Sequence, residues 1–212
     1  MGFMEIISII MSILQLIAGL FAPKTTSYVR LADYDCDRVE WVGAPAVVGG
    51  EFVGTAEVRC SFEGVAGGSI AVLRSHMAEQ LPKDGNIQGE TRVATYQGLP
   101  SLSFRTHLDM GQATAYGVTN IASDGARTLR NIFESDSIVA DGVGKYLKHV
   151  YAETHVAGNG TEEYDLKMVQ TIRVQKPAGI SSAKFKSRLM DEAEGALADR
   201  AAAAVQEMAS WL

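Results

Sequence analysis

The sequence predicts an α+β fold: an apolar N-terminal helix of membrane-spanning length, an antiparallel sheet of about six to seven strands, and a long C-terminal helix lying on that sheet. Three observations predict it. Residues 180–212 place Phe185, Leu189, Ala193, Ala196, Leu197, Ala204, Val205, Met208 and Trp211 at three- and four-residue spacing, which is one apolar stripe along a helix about 45 Å long. The stretch before it is a series of short alternating runs broken by Gly, Asn and Asp, the pattern of strands and turns. Residues 3–21 carry one charge, Glu5, over a length that suits a bilayer-crossing helix.

The 212 residues are 47% apolar and 21% charged, a globular composition with enough chain for a sizeable core. A net charge of −6 argues against a broad nucleic-acid surface, which needs clustered Lys and Arg. Cys36 and Cys60 lack a CxxC spacing, so zinc and dithiol redox chemistry have no support. They read as packed thiols, or, in an oxidising compartment, as one bridge worth about 3 kcal/mol in the chain-entropy model.

In the first segment, Glu5, Ser8, Ser12, Gln15 and Gly19 recur at spacings of three and four and so line one helix face. A spanning helix with this face turned to other helices, an interfacial amphipathic helix and a buried helix of the fold compete, and length favours the first. Lys24 and Arg30 follow the segment and no Lys or Arg precedes it, which places the large domain on the cytoplasmic side by the positive-inside rule. The expected division is therefore an anchor over 1–24 and one α+β domain over 27–212.

Asp33, Asp35 and Asp37 form D-x-D-x-D, but Arg38 and Ala44 stand where a calcium loop needs Gly and Glu, so the stretch reads as an acidic loop. Residues 51–62 alternate as a strand. Ser69 caps a helix over 70–81 that Pro82 stops. Strands follow over 90–96 and 101–108, with a turn at 98–100, and over 112–121. Residues 123–134 fit either period and are read as strand. Residues 145–156 and 163–174 flank Gly158-Asn159-Gly160, a strong hairpin signal. Asn159-Gly160-Thr161 is also a glycosylation sequon, but turn chemistry already accounts for the Asn and Gly.

This order of elements resembles the helix-grip arrangement of START-like lipid and steroid carriers, over 51–212 and through element order alone. The resemblance implies a curved antiparallel sheet round the last helix. No residue motif accompanies it, so it carries over no ligand or activity.

No catalytic set emerges. His76, His107, His149 and His155 show no compact ligand spacing, although His149 and His155 share one strand face. Gly142-Val143-Gly144-Lys145 fails as a phosphate loop, since Val139 and Tyr146 occupy required Gly and Ser/Thr positions. Glu134, Asp136 and Asp141 define no cleft. No catalytic residue, cofactor or metal is therefore assigned. Lys176, Lys184, Lys186 and Arg188 gather at the start of the last helix, where the macrodipole disfavours cations, and suggest contact with an anionic surface.

The resulting expectation is a non-enzymatic, membrane-associated accessory or structural subunit. Its partners would be the membrane and other protein subunits, a homo-oligomer included, and not nucleic acid. The alternative is a carrier with an apolar ligand between sheet and helix. In the subunit reading Leu102, Phe104, Tyr116 and Val150 close-pack against Phe185, Leu189 and Leu197, and the Ala-rich half of the helix favours that; in a carrier they enclose a pocket.

Overall fold

Inward and outward residues alternate along residues 51–63 and 163–175, which pair with each other over their full length. The computed structural model describes residues 32–80, 92–96, 98–109, 113–125, 127–140, 146–158 and 162–212. The elements are β1 (Tyr34–Cys36), β2 (Glu40–Trp41), β3 (Ala46–Val48), β4 (Glu51–Glu63), α1 (Ile70–Gln80), β5 (Arg92–Tyr96), β6 (Leu99–Asp109), β7 (Ala113–Ser123), β8 (Thr128–Ala140), β9 (Leu147–Gly158), β10 (Glu163–Gln175) and α2 (Ser182–Ala209).

They build one antiparallel sheet in the order β1-β4-β10-β9-β8-β7-β6-β5, with β2 and β3 also paired to β4. The expected six to seven strands are thus corrected to ten among the described residues. Seven are long, and the other three are pieces of a single broken edge. β1 lies opposite 60–62, β2 opposite 56–57 and β3 opposite 51–53 of β4. Gly43, with φ +78°, and Pro45 interrupt that edge, because Pro donates no ladder hydrogen bond. Cys36 and Cys60 face each other across β1 and β4 and form a disulfide.

β4 and β10 pair over thirteen residues, from Glu63↔Glu163 to Glu51↔Gln175. Phe52, Ala56, Val58, Cys60 and Phe62 of β4 are buried with Leu166, Met168, Ile172 and Val174 of β10. The opposite face is charged. There Lys167 reaches Glu57 at 2.8 Å, Arg173 reaches Glu51 at 2.6 Å and Arg130 reaches Glu153 at 3.3 Å. Residues 123–134, ambiguous in sequence, divide among the end of β7, a turn and β8: Asp124 Oδ1 accepts hydrogen bonds from the backbone N–H of Arg127 and Thr128, an Asx-type turn. The turn predicted over 98–100 contracts to Gly98, φ +82°, with Leu99 already in β6.

Both helices lie on the inner face, α2 over β4 and β10 and α1 over β7 and β8. Ser181 caps α2 by accepting from the Lys184 N–H at 3.3 Å. Beyond α2 the chain seats on the loop after β4, where Gly68 N–H donates to Leu212 O at 2.8 Å and Val65 N–H to Ala209 O at 3.0 Å. A Cβ at Gly68 would fall 1.8 Å from the Trp211 carbonyl oxygen, so only glycine permits this approach.

The architecture is α+β and helix-grip-like, and the membrane-spanning helix is the second correction. No described helix is long and apolar enough to cross a membrane. The segment over 1–24, with Glu5, Ser8, Ser12, Gln15 and Gly19, lies outside the described residues, as do Leu81, 141–145 and 159–161. The strands on either side of 159–161 pair antiparallel, Gly158 opposite Tyr164.

Candidate ligand site beneath the long helix

The inner face holds two apolar clusters. One joins Val58, Cys60, Phe62, Leu166 and Met168 to Ile70, Leu73 and Met77 of α1 and to Leu197, Ala201, Val205 and Met208 of α2. The other joins Phe52, Phe133, Val150, Ile172 and Val174 to Phe185, Leu189 and Ala196. A polar layer lies between them. Across the sheet one row reads Val58-Met168-Thr154-Asn131-Ile121-Leu102, and the next reads Ala56-Gln170-Ala152-Phe133-Thr119-Phe104. Gln170, Asn131, Thr154 and Thr119 therefore project to the same side as the apolar core, and all four are buried.

Part of this layer satisfies itself. Thr106 and Thr119 hydroxyls pair at 2.5 Å, and Ser135 Oγ donates to the Tyr116 carbonyl at 2.5 Å. The rest does not. Asn131 Oδ1 and Gln170 Nε2 have no hydrogen-bond partner among the described residues, although the residues are only 6% and 5% exposed.

Arg200 lies on the α2 stripe that also carries Ala193, Ala196, Ala204 and Glu207. It is 5% exposed, its Nε and Nη2 have no partner among the described residues, and burial pushes its pKa well below the ordinary arginine range, to about 9. A buried polar atom without a partner costs about 1 to 3 kcal/mol, and a buried unpaired charge more. Such costs persist at positions that bind something.

Packing under α2 is uneven. Val150, Phe185, Leu189 and Leu197 are at most 1% exposed, so the helix is close-packed over the β4 and β10 side. Leu102 and Phe104 are half-buried although they face inward, and Tyr116 is 44% exposed on the outer side. The inner sheet face is thus less fully covered toward β6.

The other candidates lie elsewhere. His149 and His155 do share one face, the outer one: His149 Nδ1 is 2.6 Å from Asp136 Oδ1, and burial lowers the His155 pKa, with Arg130 and Lys167 adding to it. No group of three His, Cys, Asp or Glu poised for a metal occurs among the described residues. Asp33 and Asp35 line an open outer groove of about 540 Å³ with Glu63, Glu163 and Asp165. Of the basic residues, Lys176 turns its ammonium to the carbonyls of Ile180 (2.9 Å) and Pro177 (3.4 Å); Lys184 is exposed, and Lys186 and Arg188 are half-buried.

Arg200, Gln170 and Asn131 escaped the motif search because no local signature marks them. The available signal was phase: Gln170 falls in step with Leu166, Met168, Ile172 and Val174, and Arg200 in step with Ala193, Ala196 and Ala204.

No family model and no curated protein matches the chain. Among solved structures it is similar to the Zhui aromatase/cyclase from Streptomyces sp. R1128, at 15% identity and a TM-score of 0.40, covering 74% of this chain and 93% of that one. The human StarD13 lipid transfer and protein localization domain matches at 13% identity and TM-score 0.37, covering 82% and 89%. A START superfamily protein from Mycobacterium smegmatis matches at 15% identity and TM-score 0.33, covering 74% and 97%. At such identities and TM-scores the likeness adds nothing to function, and the helix-grip-like description rests on the chain's own strand order and register.

The expectation of a membrane-anchored accessory or structural subunit, with membrane and subunit partners and a domain on the cytoplasmic side, is corrected. The two apolar clusters lie between sheet and helices, no described helix is long and apolar enough to cross a membrane, and the helix-grip-like interior carries unpaired polar groups.

Proposed function

We propose that the protein is a non-enzymatic carrier that holds a small, mostly apolar ligand between the inner sheet face and α2. One observation carries the reading: Arg200, Gln170 and Asn131 present buried polar atoms without partners between two apolar clusters. An apolar space with a few converging polar groups is the usual make-up of a small-molecule site. The groups themselves are a guanidinium, amides and hydroxyls, which bind and orient but make poor general bases at neutral pH.

Native mass spectrometry of the full chain, purified without denaturation, tests the reading. We expect a discrete bound small molecule that denaturation releases, and displacement of a neutral naphthylamine dye by apolar compounds. A protein that carries nothing and takes up no apolar probe would overturn it.

A further inference from the structure

We propose that the ligand is a carboxylate-bearing amphiphile whose head group docks edge-on against Nε and Nη2 of Arg200, with Gln170 Nε2 as a further donor. This rests on the carrier reading and specifies its ligand.

Arg200 is a cation for which the described residues provide no ion-pair partner. The helix positions within side-chain reach, three and four residues away, are Ala196, Leu197, Ala203 and Ala204. The acids Glu192 and Glu207 are eight and seven residues away on the same helix, about 10 to 12 Å along the axis. Glu207 Oε1 is directed instead at His76, at 3.7 Å from Nε2. On the facing sheet the inner residues of β4 and β10 are Ala56, Val58, Met168 and Gln170, none of them acidic. No carboxylate among the described residues forms an ion pair with Arg200.

The free atoms also select the partner. Nε–H and an Nη2–H lie on one edge of the guanidinium plane and point the same way. A planar carboxylate accepts both at once, the bidentate geometry that makes arginine pairs directional. Gln170 Nε2 contributes a neutral donor from the sheet side, and Asn131 Oδ1 is an acceptor that a water or hydroxyl beside the carboxylate would satisfy. The flanking clusters are aliphatic and aromatic, which suits an apolar body. Such a ligand removes the charge penalty on binding, so the empty protein tolerates Arg200 at a cost and the loaded one gains from it.

The test compares oleate with oleyl alcohol, one chain with two heads, by displacement of neutral N-phenyl-1-naphthylamine from the full chain at pH 7.5. We expect the acid to bind roughly tenfold to a hundredfold tighter, as charge-assisted hydrogen bonds imply. Arg200→Met should abolish that preference and raise the melting temperature of the empty protein. Should Arg200→Met not fold, Arg200→Lys, which keeps the charge but loses the planar fork, should weaken acid binding selectively. Equal binding of acid and alcohol by the wild type would overturn the carboxylate assignment while leaving the carrier reading intact. Failure to bind either compound or the dye would overturn both.

Discussion

Trp41 of β2 donates its indole N–H to Glu194 Oε1 of α2 at 2.5 Å, joining residues 153 positions apart. The same indole meets Phe52 edge-on, ring centroids 6.1 Å apart, and a Cβ at Gly54 would come within 2.7 Å of it. The broken edge formed by β1, β2 and β3 is thereby tied to the middle of the long helix. Glu194→Ala should lower unfolding free energy by about 1 to 3 kcal/mol, because it removes a hydrogen bond to a charged group. Urea denaturation followed by tryptophan fluorescence measures it, and a loss indistinguishable from zero would show that the contact contributes nothing.

Leu189 lies in the apolar cluster with Phe185 and Ala196 and is 1% exposed. Leu189→Ala should destabilise by about 2 to 5 kcal/mol as a core truncation. A smaller effect in chemical denaturation would mean that the helix start relaxes onto the sheet and fills the gap.

Two glycines should respond in opposite directions. Gly68→Ala forces a Cβ against the Trp211 carbonyl and should lower the melting temperature, by overpacking costs of about 1 to 3 kcal/mol. Gly195, exposed on α2, has open space around the same position, so Gly195→Ala should raise stability by about 0.5 to 1 kcal/mol through helix propensity. Calorimetry on both variants checks the pair; equal shifts would contradict the close approach of the C-terminus to the 64–68 loop.

Acidification should destabilise the fold near pH 6. His76 stacks on Trp211, ring centroids 3.5 Å apart, and burial lowers its pKa below 6.5, outweighing the opposing field of Glu79. Glu207 at 3.7 Å is beyond hydrogen-bond range, consistent with burial prevailing. Burial also lowers His155. With the folded value below the unfolded one, the unfolded chain binds more protons across that window. The stability is present above about pH 6.5 and is lost as pH falls toward the folded value. Melting curves from pH 8 to 5 should show this drop, and His76→Phe should flatten it; an unchanged profile in that variant would locate the sensitivity elsewhere.

Much of the fold was legible in the sequence because local periodicity reports which side of an element faces apolar surroundings. The stripe from Phe185 to Met208 gave α2, alternation gave β4, β9 and β10, and Ser69 marked the start of α1. The three short edge strands were not legible, since two or three residues carry no period. Their order along β4 is set by partners found only after folding.

The sequence by itself determined the α+β class and the order of the long elements, because these follow from spacing along the chain; it read Tyr116 as inward, and the register shift between Tyr116 and Val118 turns it outward. Only the tertiary structure decided that Cys36 meets Cys60, that Trp41 holds Glu194, and that Arg200 is buried without an ion pair among the described residues. Trp41 and Glu194 lie 153 positions apart and Cys36 and Cys60 lie 24 apart, so these outcomes depend on which surfaces meet on folding, and a charge is unpaired only relative to everything that has gathered around it.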